Sequence, residues 1–423
     1  MQSKAKIILF LMLLFVLYDG AAQEQRFPKP EFETGYVQPS PTTPEPRDAA
    51  LEFLDVLILL IVLSLATWFA LKSRSRKGIF WLTLFTIGYF GFYRKGCICS
   101  IGAIQNVALS FADPAYTISL TALLFFLLPL FFTLFFGRTF CAGACPLGAI
   151  QDLVIIKPVS LPPWIRKSLG MFAVVYLGLA VLYAATGTEF IICRYDPFVG
   201  IFRLDASFLM VVLGISFLVL GMFVARPYCR FFCPYGVLLN WMSTFSRRHL
   251  TITPAECVKC RLCEDSCPFD AINLPTPEQD RAPSRKHLRR FVLYLVLIPV
   301  WVLAGGYGVS KSHKLLARAN QDVYLAELMI SRPDLRDDPD NLDIQTFLSL
   351  GKSLDTLVDE ARVIREKFRK GGWFLGGFIG LVFGITIMNQ SVFRRREDYE
   401  PNRGECFSCG RCMDFCPVGK ESE

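Results

Sequence analysis

Long apolar runs separated by short basic loops dominate this chain. They recur near 52–71, 79–93, 117–136, 169–187, 206–225, 291–309 and 372–393. Most are close to the ~20 residues that one bilayer crossing needs. About seven transmembrane helices are therefore expected, the one at 79–93 being the shortest. Ahead of them, "MQSKAKIILFLMLLFVLYDGAA" (residues 1–22) sets Lys4 and Lys6 before a short apolar core closed by Gly20 and Ala22, the layout of a signal peptide. Residues 23–50 are Pro-rich and read as an extended extracytoplasmic linker. The basic stretches "KSRSRK" (72–77), "SRKHLRR" (284–290) and "RRR" (394–396) belong on the cytoplasmic side. Threading seven spans from an outside start puts all three there.

The same threading leaves 310–371 outside. In "SLDTLVDEARVIREKF", Leu354, Leu357, Ala361, Ile364 and Phe368 share one helical face. A second helix is expected over 312–330, with "RPDLRDDPDN" breaking the two apart. The pattern predicts a helical hairpin packed on the outer ends of the spans; a docking surface for an extracytoplasmic partner is the alternative.

Composition agrees with a membrane protein. The 423 residues are 53% hydrophobic and include 38 Phe but only 3 His, too apolar for an ordinary soluble domain. The net charge of +8 sits in short loops between apolar runs, so it reads as topology and not as a nucleic-acid footprint. The fifteen cysteines are clustered, which suggests ligand sets and not disulfide staples.

Two of the clusters have one spacing. "CVKCRLCEDSCP" supplies Cys257, Cys260, Cys263 and Cys267, and "CFSCGRCMDFCP" supplies Cys406, Cys409, Cys412 and Cys416. Both match the C-x2-C-x2-C-x3-C-P run of bacterial ferredoxins, in which three close cysteines hold one [4Fe–4S] cluster and the fourth ligates the other. Two clusters with crossed ligation follow: Cys257, Cys260, Cys263 and Cys416 on one, Cys406, Cys409, Cys412 and Cys267 on the other. Zinc sites use separated cysteine pairs and suit these runs poorly. The halves, 251–280 and 400–423, are separated by the spans at 291–309 and 372–393, yet both fall on the cytoplasmic side. A small split α+β ferredoxin domain is expected there.

Within the five-helix membrane domain, 51–250, a second motif repeats. "FCAGACPLGAIQDL" and "YCRFFCPYGVLLNW" each give Cys-x3-Cys-Pro-x-Gly, with Cys141 and Cys145 in the first and Cys229 and Cys233 in the second. Cysteines at i and i+4 share one face of a helical turn, so the two pairs predict a four-thiolate metal site at the cytoplasmic membrane edge, iron–sulfur ahead of zinc. At the outward ends, "GCICSIGAIQ" carries Cys97 and Cys99, and "IICRYDPFVG" carries Cys193 and Asp196. Cys97, Cys99 and Cys193 are the outer candidates, with Asp196 as a fourth ligand; a disulfide from Cys193 to Cys97 or Cys99 competes.

Paired Cys-x3-Cys-Pro motifs followed by ferredoxin cysteines in a polytopic chain resemble the NapH and NosR membrane ferredoxins, over about 79–275 and more loosely the final cysteine run. The resemblance implies an integral-membrane electron carrier of the bacterial inner membrane, quinol dehydrogenase-like, linked to quinone and to an extracytoplasmic flavoprotein or reductase. The large N-terminal flavin domain of NosR is absent from this sequence. Assistance in metalloenzyme maturation is the alternative function. No Cys-x-x-Cys-His run or phosphate-cradling glycine loop is present, so c-type haem and nucleotide chemistry have no visible seat. His249 and His287 read as solvated loop residues, and His313 as a quinone or partner contact.

Overall fold

The computed structural model describes residues 48–96, 100–204, 206–252, 257–276, 285–333, 341–349, 351–392 and 395–418. The signal-peptide stretch, nearly all of the Pro-rich linker, and Cys97 and Cys99 lie outside the described residues.

The apolar runs become helices of unequal length. Helix α1 (Ala49–Leu71) is capped by Asp48, whose carboxylate accepts the Ala50 N–H. Helix α2 (Arg76–Thr86) continues into a π-helical segment, Ile87–Tyr93. Then come α3 (Ala103–Ala112) and α4 (Leu120–Phe136), which ends at Gly137, φ +74°. A π turn, Phe140–Ala144, leads into α5 (Pro146–Leu153) and the long α6 (Pro163–Ala185). Four short elements follow: α7 (Ile191–Tyr195), α8 (Pro197–Arg203), α9 (Phe208–Gly221) and α10 (Pro227–Phe231). Helix α11 (Pro234–Thr244) closes this part.

Among the described residues four helices are long and apolar enough to cross a membrane: α1, α6, α13 (Arg285–Lys311) and α17 (Leu354–Ser391). The bent pair α8 and α9, at 108°, makes a fifth if counted as one span. The expected spans at 117–136 and 206–225 are shorter than predicted, with 17 helical residues in α4 and 14 in α9. Helix α4 starts at Leu120, three residues inside the predicted run, and ends with it at Phe136; α9 starts at Phe208 and stops at Gly221, short of the predicted 225, ahead of the turn that leads to Pro227.

Leu63, Ala66, Phe90, Phe125, Leu177, Phe198 and Tyr235 build one core from α1, the π segment, α4, α6, α8 and α11. A second core joins α14 (His313–Ala317), α15 (Gln321–Ser331) and α16 (Leu342–Ser349) to the first half of α17. Leu357, Ala361 and Phe368, three of the predicted face, are fully buried in it, and Leu354 and Ile364 are partly so. The amphipathic helix and the last span are one 38-residue helix, about 57 Å long at 1.5 Å per residue. That exceeds the ~30 Å of hydrocarbon, so its charged first half stands clear of the apolar layer.

Helix α6 fixes the ends. Near its start, Arg166 pairs with Asp270 and Glu405 of the ferredoxin halves. Near its finish, Leu182 joins the second core. Its 23 residues run roughly 34 Å, so the ferredoxin region and the helical cap occupy opposite ends of one spanning helix.

Helices α13 and α17 pack through glycine. Gly372, Gly376, Gly380 and Gly384 recur every fourth residue on α17 along its seam with α13, where Gly376 meets Gly305 and Gly306 and Gly380 meets the backbone of Trp301 and Val302. A Cβ on Gly376 would sit 2.0 Å from the Gly305 carbonyl oxygen. Small residues let membrane helices approach this closely and gain dispersion contact. Only 6% of α13's apolar window is buried in the protein, so most of its surface is left for lipid.

Candidate metal centres

The two ferredoxin halves meet. Strand β1 (Ile272–Asn273) pairs antiparallel with β2 (Glu400–Pro401), Ile272 opposite Pro401. The short helices α12 (Leu262–Asp265) and α18 (Arg411–Asp414) pack against each other, and the Phe269 and Phe407 ring centres lie 4.8 Å apart.

This pairing sorts the eight cysteines into two sets. Cys257, Cys260 and Cys263 of the first half and Cys416 of the second line one cavity, with Ile252 and Tyr399. Cys406, Cys409 and Cys412 of the second half and Cys267 of the first line another, with Leu250 and Phe407. Among the described residues no three His, Cys, Asp or Glu side chains are grouped to hold a single metal ion. Among its described lining residues each cavity nonetheless carries four cysteines and no other strong ligand type, the all-sulfur donor set that a [4Fe–4S] cluster takes. Burial pushes the Cys267 thiol up to about 11 and the Cys406 thiol up to about 12. Thiols held neutral like these become thiolates when a metal displaces the proton.

The membrane-edge pairs also come together. Cys141 lies in the π turn, and Cys145 is the N-cap of α5 ahead of Pro146. Cys229 lies in α10, and Cys233 is the N-cap of α11 ahead of Pro234, its sulfur accepting the Gly236 N–H at 3.3 Å. Cys233 is within electrostatic range of Cys229, Cys145 and Cys141. The expected shared helical face does not form. Proline at the first helical position forces its predecessor out of α-helix, so the second cysteine of each pair is a cap.

Nitrogen donors surround these sulfurs. Gln151 Nε2 donates to Cys229 Sγ at 3.3 Å and Arg138 Nη2 to Cys141 Sγ at 3.8 Å. Fully buried Arg226 donates to the Cys141 carbonyl oxygen at 2.5 Å. Asp152 gathers Arg76, Arg411 and Arg226 at 2.6, 3.3 and 3.5 Å. Burial alone would push its carboxyl up, but the three guanidinium groups hold it down to about 2. Cys141 and Cys229 pack on the same apolar cluster as Phe269, Phe407 and Cys409, so this set and the second ferredoxin cavity share a wall.

The run Gly-Ala-Ile-Gln occurs twice, at 102–105 and 148–151, and both glutamines have the same structural role. Gln151 Oε1 accepts the Tyr228 N–H at 3.1 Å, and Gln105 Oε1 accepts the Ile192 N–H at 3.0 Å. Each glutamine clamps the backbone one residue before a cysteine, Cys229 or Cys193.

Of the outer candidates, Cys193 is exposed on α7 and lines a polar cavity with Arg94, Arg203, Glu52 and Asn106. Cys97 and Cys99, and with them the disulfide alternative, lie outside the described residues. Asp196 is not offered to a metal: Oδ1 caps α8 through the Phe198 and Val199 N–H groups, and Oδ2 accepts the Tyr228 hydroxyl at 3.0 Å. That last bond ties the outer motif directly to the inner one. A small void lined by Gly96, Phe125 and Cys145 adjoins the outer cavity, which Gly96 and Phe125 also line. The Cys193 motif and the inner motifs are thus linked through the protein.

His249 differs from expectation. It is half-buried in an open groove with Trp68, Phe132, Phe136, Lys72 and Arg248. Burial and nearby Arg403 push its pKa down, so it is neutral at pH 7. The segment after it alternates: His249 and Thr251 face the groove, while Leu250 and Ile252 line the two cysteine cavities. His313 Nδ1 lies 2.8 Å from the Ser310 carbonyl oxygen, a local contact at a helix end.

Comparison with known proteins bears on iron–sulfur binding. Residues 118–171 and 206–253 match one 4Fe-4S binding domain family, and 250–273 match a second. The chain is 32% identical over 200 residues to uncharacterized protein MJ0750 of Methanocaldococcus jannaschii, covering 44% of this chain and 79% of that one. It is 27% identical to regulatory protein NosR of Pseudomonas aeruginosa over 48% of this chain but 30% of NosR. It is 27% identical to protein NirI of Paracoccus denitrificans over 53% of this chain and 35% of NirI. No solved structure matches. Cysteine spacing, membrane helices and these matches together identify the chain as a member of the NosR/NapH-like family of membrane ferredoxins with [4Fe–4S]-binding domains.

Proposed function

We propose that this membrane-associated iron–sulfur protein passes electrons between a cytoplasmic or quinone donor and an extracytoplasmic redox partner. The observation that carries the reading is the crossed sorting of eight cysteines into two cavities, one of which shares a wall with the Cys141, Cys145, Cys229 and Cys233 set. On this reading Cys257, Cys260, Cys263 and Cys416 hold one [4Fe–4S] cluster, and Cys267, Cys406, Cys409 and Cys412 the other. The membrane-edge four hold a third metal–thiolate centre, and Cys193 with Cys97 and Cys99 marks the outer end of the path. Each such centre, when bound, takes up and returns one electron.

The protein's own residues prepare that path. Gln151 and Arg138 donate toward Cys229 and Cys141 and stabilise their thiolates. Phe269 and Phe407 keep water out of the shared wall. The His249 groove suits a quinone ring: its walls are aromatic, and a neutral imidazole is available to take a proton. Basic Lys72, Arg74, Arg247 and Arg248 cluster at the ferredoxin end, which supports a cytoplasmic location for it and, with α2, α4 and α9 counted as further spans, the seven-span threading.

Iron and acid-labile sulfide per chain, measured on protein purified without oxygen, test the assignment. Clearly more than about eight irons, falling toward eight in a Cys145→Ser plus Cys233→Ser variant, is expected. Eight in both proteins would remove the third centre.

A further inference from the structure

Two buried guanidinium groups lie between the membrane-edge cysteines and the second ferredoxin set. The Arg138 guanidinium sits 4.1 Å from the centre of the Phe407 ring, and that of Arg226 5.5 Å from it. Phe407 follows Cys406 directly and is 2% exposed. Arg226 is within electrostatic reach of Cys229, Cys409 and Cys141, and Arg138 of Cys229 and Cys406. Their charge is only partly balanced by carboxylates. Among the described residues the acid within ion-pair distance of Arg226 is Asp152, already shared with Arg76 and Arg411, and none lies that close to Arg138. Buried charge without a counter-charge is costly, and thiolate sulfur is the remaining anionic group at hand.

The cavity of Cys257, Cys260, Cys263 and Cys416 has different neighbours. Glu264 and Asp265 follow Cys263, and Arg261 at its rim is exposed and paired with Glu264 at 3.4 Å. The nearby Arg74 guanidinium spends its donors on the Thr251 and Ile252 carbonyl oxygens. Cys260 is exposed.

We propose that the Arg138–Phe407–Arg226 clasp makes the two centres it separates the electron sink of the chain, so that electrons entering at the exposed Cys260 side run toward the membrane. This rests on the centre assignment above. The step is a one-electron move: the centre at Cys257, Cys260, Cys263 and Cys416 is oxidised by one electron and its neighbour reduced by one, with no bond made and no proton moved. Reduction adds a negative charge, and a fixed buried cation stabilises that state. At an effective dielectric of ~20 and a separation of ~10 Å, the shift in the electron's partition is on the order of tenfold per arginine.

The test is an EPR-monitored redox titration of full-length, detergent-solubilised protein, with iron and sulfide content measured on each sample. Cys257→Ser assigns the signal of the entry centre. In the unaltered protein the entry centre is expected to have the lowest midpoint. Arg226→Gln and Arg138→Gln are expected to lower the midpoints of the flanking centres by about 59 mV for a tenfold change, leaving the entry centre in place, and Arg138→Lys to restore most of the loss. Midpoints in the opposite order, or flanking midpoints that do not move, overturn the proposal. If Arg226→Gln fails to load, the order of midpoints in the unaltered protein and the Arg138 pair still decide. Iron content that stays at eight signals failure of the third-centre assignment instead, and the clasp is then judged on the Cys267, Cys406, Cys409 and Cys412 signal alone.

Discussion

Replacing Gly376 by alanine should loosen the junction that brings the two ferredoxin halves into register. Helix α13 follows the first half and α17 precedes the second, so their crossing helps decide where Cys416 and Cys267 arrive. A Cβ at Gly376 would lie 2.0 Å from the Gly305 oxygen and 2.4 Å from its carbonyl carbon, both backbone atoms. Contact near 3.4 Å requires the helices to part by roughly 1.4 Å, and such overpacking costs about 1–3 kcal/mol. Metal–ligand distances tolerate only about 0.2 Å. Gly377 is the matched control, since a Cβ there would meet Val302 Cγ1 at an ordinary 3.5 Å. Trp301 and Trp373 report on the seam, stacked edge-on at 5.5 Å from Phe383 and 6.5 Å from Tyr307. Thermal unfolding followed by tryptophan fluorescence should show Gly376→Ala melting well below Gly377→Ala, with less iron retained per chain. Equal melting and equal iron in the two variants would refute the reasoning.

Two further outcomes follow from the site. Cys416→Ser should bleach the centre whose other three ligands lie in the first half, and Cys267→Ser the centre of the second. EPR of each single variant checks this, and loss of the same-run centre in either case would show uncrossed ligation. Asp152→Asn should destabilise the protein at pH 7, leaving three guanidinium groups around a neutral amide. The folded carboxyl lies near 2 against an ordinary 3.8, a depressed value worth roughly 2 kcal/mol. That stabilisation is full above about pH 4 and lost as pH falls from 3.8 toward 2, so the gap between variant and unaltered protein should shrink over that window. Chemical unfolding at a series of pH values measures it, and a gap that does not change with pH would remove Asp152 from the account.

Much of the architecture was legible because physics leaves few options for it. Apolar runs in a chain this hydrophobic become helices, and the face of Leu357, Ala361 and Phe368 could only be buried against something. The Gly372, Gly376, Gly380 and Gly384 series was equally readable at helical spacing, but it takes a partner with its own glycines to give that spacing meaning. Span lengths were less legible. Hydropathy carries the run at 206–225 past Gly221 without a mark, whereas the helix stops there.

The cysteines were legible for a reason that the residues around them do not share. A cluster needs sulfur at set intervals, so its ligands announce themselves by spacing. What surrounds the sulfur is assembled from distant parts of the chain: Arg76, Asp152, Arg226 and Arg411 are spread over more than three hundred positions and meet at one carboxylate. His249 looked like a solvated loop histidine because nothing in its neighbours shows that Phe132 and Trp68 would wall it in. The glutamines stand between these cases. Repetition exposed Gln105 and Gln151, yet their work is to hold Ile192 and Tyr228, residues 87 and 77 positions away. A repeat that clamps its partner's backbone ahead of each cysteine explains why near-identical runs persist at both motifs even where the sulfur ligands differ. The clamp positions the chain whatever the next residue binds.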